Sequence, residues 1–366
     1  MNIRCFKRNE VKKSKLVYIS KKQFGYQTDA YMHCKYSKNQ LDIIFLCFDS
    51  GYPKVEESGV KVIYLKDREN LLTNSLFFSI YCIYYILKNR SKIFIQYFPG
   101  CYWFKRLFFW KEMMLDIRSV SISTNEITNL KYDQRLTRSA AYFNHITVIT
   151  EGVRNHLNIP QKKASILPLG TNIYSSAKKD FSGALNLMYI GTFNNRNINQ
   201  TIEGLAIFMI KNPNESIKYY LVGDGSKQEI SNVKNLISEN NLEEIVYFLG
   251  YKRHAEINDL WDFCQIGVSY VPISQGYNLQ PPTKTFEYLG AGMAVIATKT
   301  HENMKLINDK IGVLIEDSPI MFCKGIERII LNRHLYNSDL IRESIENYSW
   351  ELIVKKYFIN LFVDQT

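Results

Sequence analysis

Short aliphatic and aromatic runs alternate along the chain with turn residues and mixed stretches, a pattern that predicts strands feeding helices. Leu16–Ile19 and Leu41–Phe48 read as buried strands. Between them stand a loop, Lys21 to Gly25, and a helix from Tyr26 to Ser37. That strand, loop, helix, strand order opens a Rossmann-like parallel sheet. Val60–Leu65, Lys92–Tyr97, a strand entered at Met114 in a stretch reaching Ile122, and His145–Thr150 continue it, with a helix from Glu151 to Leu157 and a closing Ser165–Asn172 segment. After a polar linker, Tyr174 to Ser182, the pattern starts again. Strands are expected at Leu185–Ile190, Ile217–Val222, Ile245–Leu249, Ile266–Tyr270, Ala294–Thr298 and Lys310–Ile315. Helices are expected at Asn199–Met209, Lys227–Asn240, Glu256–Phe263, Thr283–Gly290 and Met321–Leu331. Glu351 to Phe362 reads as an amphipathic final helix, with Leu352, Ile353, Tyr357 and Phe358 set against Lys355 and Lys356. The prediction is an α/β chain of two Rossmann-like domains.

Two stretches leave alternatives open. Leu71–Leu87 is apolar but carries Thr73, Asn74 and Ser75. It is slightly short of the roughly 20 residues that span a bilayer, so it reads as a packed helix or as one seated at a membrane. Cys101–Met114, read as a helix, interleaves large aromatics with Lys105, Arg106 and Lys111, which suits either a core-facing helix or one lying among anionic head groups.

Composition narrows the partners. A length of 366 residues fits two domains, and a 46% hydrophobic fraction is ample for their cores. The net charge of +11 is concentrated at the start, where Met1 to Lys22 holds eight Lys and Arg against Glu10 alone. Such an end can rest on an anionic membrane, grip nucleic acid or simply solubilise a terminus. No helix-turn-helix, RNP or zinc-finger pattern supports nucleic acid. Seven dispersed cysteines without metal-ligand spacing predict free thiols in a reducing compartment, and no apolar run after the first basic residues predicts secretion. His145 and His156 lack partners at ligand spacing and read as structural.

The chemistry concentrates at Pro281–Thr298, PPTKTFEYLGAGMAVIAT. A proline pair entering a helix leaves backbone N–H groups and the positive end of the dipole free for an anion. Lys284 can neutralise phosphate, and Glu287 can accept hydrogen bonds from paired sugar hydroxyls. A second phosphate-type junction follows the Leu185–Ile190 strand, where Gly191-Thr192 lets backbone approach and Arg196 can fork onto phosphate oxygens. In the first half, Gly25 lies in a loop without GxGxxG, so no dinucleotide cofactor is indicated. Asp116 and Arg118 fall where a strand exits, and Asp116 reads as a contact for an acceptor hydroxyl or as half of a structural salt bridge.

Pro282-x-Lys284-x-x-Glu287-Tyr288-Leu289-x-Ala291-Gly292 with its Val-Ile strand resembles the donor-site signature of the family 4 retaining glycosyltransferases of GT-B fold. Leu185–Thr192, LVGDG at Leu221–Gly225, and the Asp116-Ile-Arg-Ser119 segment are similar to further parts of that family, the last to its bacterial polysaccharide-building members. The resemblance implies two Rossmann-like domains facing a central cleft: 1–173 on the acceptor side, 174–348 binding the nucleotide-sugar, and 349–366 crossing back. It implies a donor site from Gly191, Thr192, Arg196, Tyr251, Pro282, Thr283, Lys284 and Glu287, with Tyr251 backbone at the nucleobase and Glu287 at the ribose. Eight positions before Glu287, where the family carries a first glutamate, stands Leu279. Its neighbours Asn278 and Gln280 become the candidate polar contacts to the donor sugar. Gly25, Asp116 and Arg118 fall on the acceptor-side cleft, with Asp116, Arg196, Lys284 and Glu287 as the catalytic set. The expected activity is metal-independent transfer from a nucleotide-sugar co-substrate, with no other cofactor, to a glycan on a lipid carrier. Capsule or O-antigen assembly at the inner face of the cell membrane is the expected setting. A non-catalytic scaffold of the same fold and a sugar-nucleotide epimerase are the alternatives.

Overall fold

In the computed structural model, residues 13–67, 71–88 and 91–363 are described, so most of the basic N-terminal run, including Arg4, Lys7, Arg8 and Lys12, lies outside the described residues. The first half runs β1 (Ser14–Ile19), α1 (Thr28–Ser37), β2 (Leu41–Asp49), β3 (Val60–Lys66), α2 (Leu71–Lys88), β4 (Lys92–Gln96), α3 (Tyr102–Leu107), β5 (Met113–Ile117), α4 (Glu126–Ala140), β6 (His145–Val148), α5 (Glu151–His156) and β7 (Ala164–Ile166). The second half runs β8 (Leu185–Thr192), α6 (Asn199–Lys211), β9 (Ile217–Asp224), α7 (Lys227–Glu239), β10 (Val246–Gly250), α8 (Asn258–Phe263), β11 (Ile266–Ser269), α9 (Gln275–Asn278), α10 (Thr283–Gly290), β12 (Ala294–Thr298), α11 (His301–Leu306), β13 (Gly312–Ile315) and α12 (Pro319–Asn332). The short α13 (Ser338–Glu343) and α14 (Trp350–Ile353) end it.

The strands form two parallel sheets, in the orders β3-β2-β1-β4-β5-β6-β7 and β10-β9-β8-β11-β12-β13. Both are doubly wound, and strand order reverses between β1 and β4 and between β8 and β11. At such switch points the loops leave the sheet in opposite directions and open a crevice outside the carboxyl ends of the strands. Each sheet has its own core. The first also takes up Trp350, Val354 and Phe358, so the end of the chain returns to the unit with which it began.

Several expected elements are corrected. The expected helix at Cys101–Met114 is only α3, after which the chain turns and enters β5; Phe109 and Trp110 are thereby exposed. The final helix changes winding, from α14 to a π-helical Val354–Phe358 and a 3-10 Ile359–Leu361. Leu352, expected on its apolar face, is exposed, whereas Trp350, Val354 and Ile359 are buried. The helix expected from Glu256 begins as a 3-10 turn, His254–Ile257, before α8. Leu71–Leu87 packs one face, with Phe78, Cys82 and Ile86, into the first core and leaves Leu76, Ile80, Tyr84 and Leu87 exposed on the other. Among the described residues no helix is long and apolar enough to cross a membrane.

Candidate functional site

Helix α10 occupies the residues its sequence predicts because its punctuation is local. Pro282 precedes it, and it stops at Ala291-Gly292, where Gly292 has φ +71. Three contacts pin it. Ser269 and Thr285 hydroxyls lie 2.7 Å apart, and Thr285 donates to Asn303 at 2.9 Å. The Tyr288 hydroxyl accepts the Ile190 N–H at 2.8 Å, which ties α10 to the last turn of β8. Burial pushes the Tyr288 phenol well up, so it stays a neutral hydroxyl.

At its start α10 is open. No side chain caps it and its first turn carries no acid, whereas α7 has a full capping box and α12 is capped by Ser318. The start of α6 likewise has no side-chain cap. At α6 the Gln200 and Thr201 N–H groups already donate to the Asn197 and Ile198 carbonyls, so the open start suited to an anionic ligand is that of α10.

At the α10 start lies a cavity of about 200 Å³ at the β8/β11 switch point. Its walls are the end of β8 (Tyr189, Ile190, Gly191, Thr192), the end of β11 with its exit (Val268, Ser269, Tyr270, Val271), the entry of α10 (Pro282, Thr283, Lys284), and Arg196. Six of the predicted donor residues therefore share one cavity: Gly191, Thr192, Arg196, Pro282, Thr283 and Lys284. Gly191 pairs with Gly223 across β8 and β9, and a Cβ on Gly223 would collide with the Gly191 carbonyl, so the close approach of these strand ends requires glycine. Arg196 is presented by a tight loop in which Asn195 and Asn197 both adopt positive φ, a conformation asparagine tolerates. Its guanidinium lies 4.7 Å over the Tyr277 ring, and the Tyr277 hydroxyl donates to Asn195 O at 3.0 Å. This ring fixes the cation, and it was not singled out in the sequence because 81 positions separate the partners.

Glu287 does not line the cavity. It is buried one turn behind the α10 entry, and its Oε2 accepts from Lys284 Nζ at 2.5 Å. Tyr251 is 71% exposed at the end of β10, also outside the cavity wall. Asn278 Oδ1 accepts the His301 N–H at 3.3 Å, and Gln280 Nε2 donates to Val120 O at 3.3 Å and Gly276 O at 3.0 Å. Both side chains are thus engaged by protein. Leu279 packs against the first core, its Cδ2 close to where a Cβ on Gly152 would be, and its carbonyl accepts from Thr150 Oγ1 at 2.6 Å. Here the two halves touch.

On the first sheet the structure brings Asp116 and Arg118 together with Asp29, which the sequence reading did not single out. Arg118 Nε donates to Asp29 Oδ2 at 2.5 Å, and its Nη1 lies 4.0 Å from Asp116 Oδ1. Asp116 is wholly buried and accepts from Thr147 at 2.7 Å. Burial raises its carboxyl to about 6, Arg118 and the Thr147 hydrogen bond restrain the rise, and Asp29 adds to it. The expected acceptor contact therefore lies beneath the surface of the first sheet's crevice. Gly25, at φ +90, stands apart against Val55. His156 pairs with Asp133 at 2.8 Å. The six described cysteines are free and buried, and Cys5 lies outside the described residues.

Residues 184–332 match the protein family described as glycosyl transferases group 1. No curated protein matches the chain. Among solved structures, a sucrose-phosphate synthase from Thermosynechococcus elongatus superposes with TM-score 0.72 at 17% identity, over 94% of this chain and 97% of that one. Anabaena HepE in complex with UDP and glucose gives 0.71 at 14% identity, over 93% and 97%. An E. coli structure described as trehalose-6-phosphate bound with UDP-2-fluoro glucose gives 0.70 at 10%, over 93% and 97%. The fold is GT-B, α/β with two Rossmann-like units. Family match and neighbours together support a GT-B glycosyltransferase.

Proposed function

We propose that the chain is a retaining glycosyltransferase that moves a sugar from a nucleotide-sugar to a glycan acceptor. One observation carries the reading: the cavity at the β8/β11 switch point gathers Arg196, Lys284 and the uncapped α10 start. Bond breaking at the anomeric carbon leaves a nucleoside diphosphate, and charge grows on its phosphate oxygens. Arg196, Lys284 and the first-turn N–H groups of α10 meet that charge in place before reaction, which stabilises the transition state more than the ground state. In this role they are proposed to do without a metal ion. Glu287 takes the ribose hydroxyls through the carboxylate oxygen that Lys284 leaves open, and Tyr251 backbone lies at the base. In this division 1–173 is the acceptor side, 174–348 the donor side, and 349–366 the return across them.

The finer reading is a lipid-linked acceptor, in bacterial surface polysaccharide assembly at the inner face of the membrane. The crowding of aromatic and basic residues on the first unit supports it. Leu279 favours a second reading, a nucleotide-binding subunit without turnover, because its side chain offers the donor sugar no hydrogen bond. One assay separates the two. The chain is incubated with nucleotide-sugars and free or lipid-linked glycans, and nucleoside diphosphate release and the product's anomeric configuration are read. Acceptor-dependent release with retained configuration supports transfer. Binding without release supports the subunit, and release of an altered nucleotide-sugar supports an epimerase.

A further inference from the structure

The helices of the first unit leave one face of their layer uncovered. Right-handed crossovers carry α2, α3 and α4 to one side of the first sheet, because β3 to β4, β4 to β5 and β5 to β6 all step in the direction opposite to β1 to β2. Helix α1 lies on the other side with the C-terminal helical turns, His33 stacking on Phe358 at 4.5 Å. Rings join the three helices: Phe78 to Phe98 at 5.8 Å, Phe98 to Phe104 at 6.4 Å, and Tyr102 to Tyr142 at 5.0 Å.

Outward, α2 presents Leu76, Ile80, Tyr84 and Leu87 in one stripe, each half exposed or more. The turn after α3 presents Phe109 and Trp110, 73% and 61% exposed. That turn is held in shape, since Lys105 Nζ donates to the Phe109 and Lys111 carbonyls, both at 2.8 Å. Helix α4 adds exposed Ile127 and Leu130. So wide an apolar surface on one face marks an interaction site.

Charge identifies the occupant. The core of a protein interface is depleted of charge, but here cations stand at the end of α2, on α3 and along α4. Arg106 lies 4.9 Å over the Trp103 ring, and Lys88 donates to the Tyr84 hydroxyl at 2.8 Å. Lys131, Arg135 and Arg138 continue the exposed face of α4. Among the described residues of these elements the exposed acids are Glu112 and Glu126, and Glu112 faces Lys92 at 3.9 Å. Aromatic and aliphatic tips set among Lys and Arg match the boundary between acyl chains and anionic head groups.

We propose that the outer face of α2, α3 and α4 docks on an anionic lipid bilayer. Its apolar tips enter the acyl boundary and its Arg and Lys side chains rest on the phosphates. The proposal deepens the transferase reading by saying where the acceptor lies. Helices α2, α3 and α4 start near the carboxyl ends of the first sheet's strands, so the crevice opens along one edge of the docked face, within reach of a lipid-held glycan.

The test needs no sugar transfer. The intact chain is floated with phosphatidylcholine vesicles and with vesicles holding about one third phosphatidylglycerol, at low and high salt. The variants Phe109→Ser/Trp110→Ser and Arg135→Glu/Arg138→Glu are run alongside, each checked for an unchanged melting temperature and unchanged nucleotide binding. Binding to the anionic vesicles alone, weakened by salt and lowered more than about tenfold in each variant, is the expected result. Absence from both vesicle types overturns the proposal, as does anionic binding that neither variant weakens. Concentration-dependent self-association abolished by Phe109→Ser/Trp110→Ser, without vesicle binding, assigns the face to a second copy and also overturns it. Nucleotide binding with no vesicle binding would leave the transferase reading standing and remove only the docking face.

Discussion

Asp116→Asn tests whether the first sheet's carboxylate is a buried structural group. Burial holds the folded carboxyl at about 6, above its ordinary value of 3.8. An acid with a raised folded pKa binds its proton more tightly when folded. Its favourable contribution is therefore complete below about pH 4 and is lost as the pH rises through about 6. A shift of about 2 pKa units corresponds to about 3 kcal/mol. Asparagine keeps an Oδ1 acceptor for the Thr147 hydroxyl, bonded to Asp116 at 2.7 Å, and cannot ionise. Relative to wild type, the variant should therefore gain about 3 kcal/mol between pH 4 and pH 7. Urea unfolding of both proteins at several pH values within that window measures the difference. A difference that stays flat, or that moves in favour of wild type as pH rises, would refute the reasoning. It would place the carboxylate in open solvent or in a stronger ion pair with Arg118.

Tyr288→Phe removes the acceptor for the Ile190 N–H and should cost about 1–3 kcal/mol. Because that bond holds the end of β8 in the cavity wall, nucleoside diphosphate affinity should fall as well, and thermal melting with and without ligand reads both. Gly276→Ala puts a methyl group against the Ser121 carbonyl, where the two halves meet. The melting temperature should drop by an amount equivalent to about 1–3 kcal/mol, and an unchanged melting temperature would show that this contact gives way freely. Glu287→Ala leaves the cavity walls in place and removes the proposed ribose contact. It also removes the partner of Lys284, so calorimetry should show weaker binding of a nucleoside diphosphate but no loss of inorganic pyrophosphate binding.

Local signals made much of this molecule legible. Helix α10 and strand β12 fall on the residues predicted for them, because Pro281-Pro282 and Ala291-Gly292 specify their ends within the stretch itself. Helix α4 went unread because it has almost no apolar stripe: of fifteen residues only Leu136, Ser139 and Ala140 are buried. The segment from Cys101 misled for the opposite reason, since its aromatics suggested a long helix whereas the chain must turn at Phe108 to enter β5. Pairings remote in sequence were hidden as well. Asp29 and Arg118 are 89 positions apart, and no spacing rule connects them before the sheet brings β5 beside the start of α1. Of the candidate donor residues, those at the end of β8 and the entry of α10, with Arg196, share the cavity. Tyr251, Asn278 and Gln280, assigned by resemblance alone, lie elsewhere or are bonded to protein.

The central claim is that the cavity between β8, β11 and α10 holds the diphosphate of a nucleotide-sugar. Calorimetric titration of the intact chain with nucleoside diphosphates and their sugars, repeated on Arg196→Ala, tests it most directly. The account predicts one saturable site selective for one nucleobase class. Loss of a charge-assisted contact should weaken it by about 10–100-fold in the variant. A folded wild type that binds no nucleoside diphosphate, or an Arg196→Ala protein that binds as tightly as wild type, would contradict it.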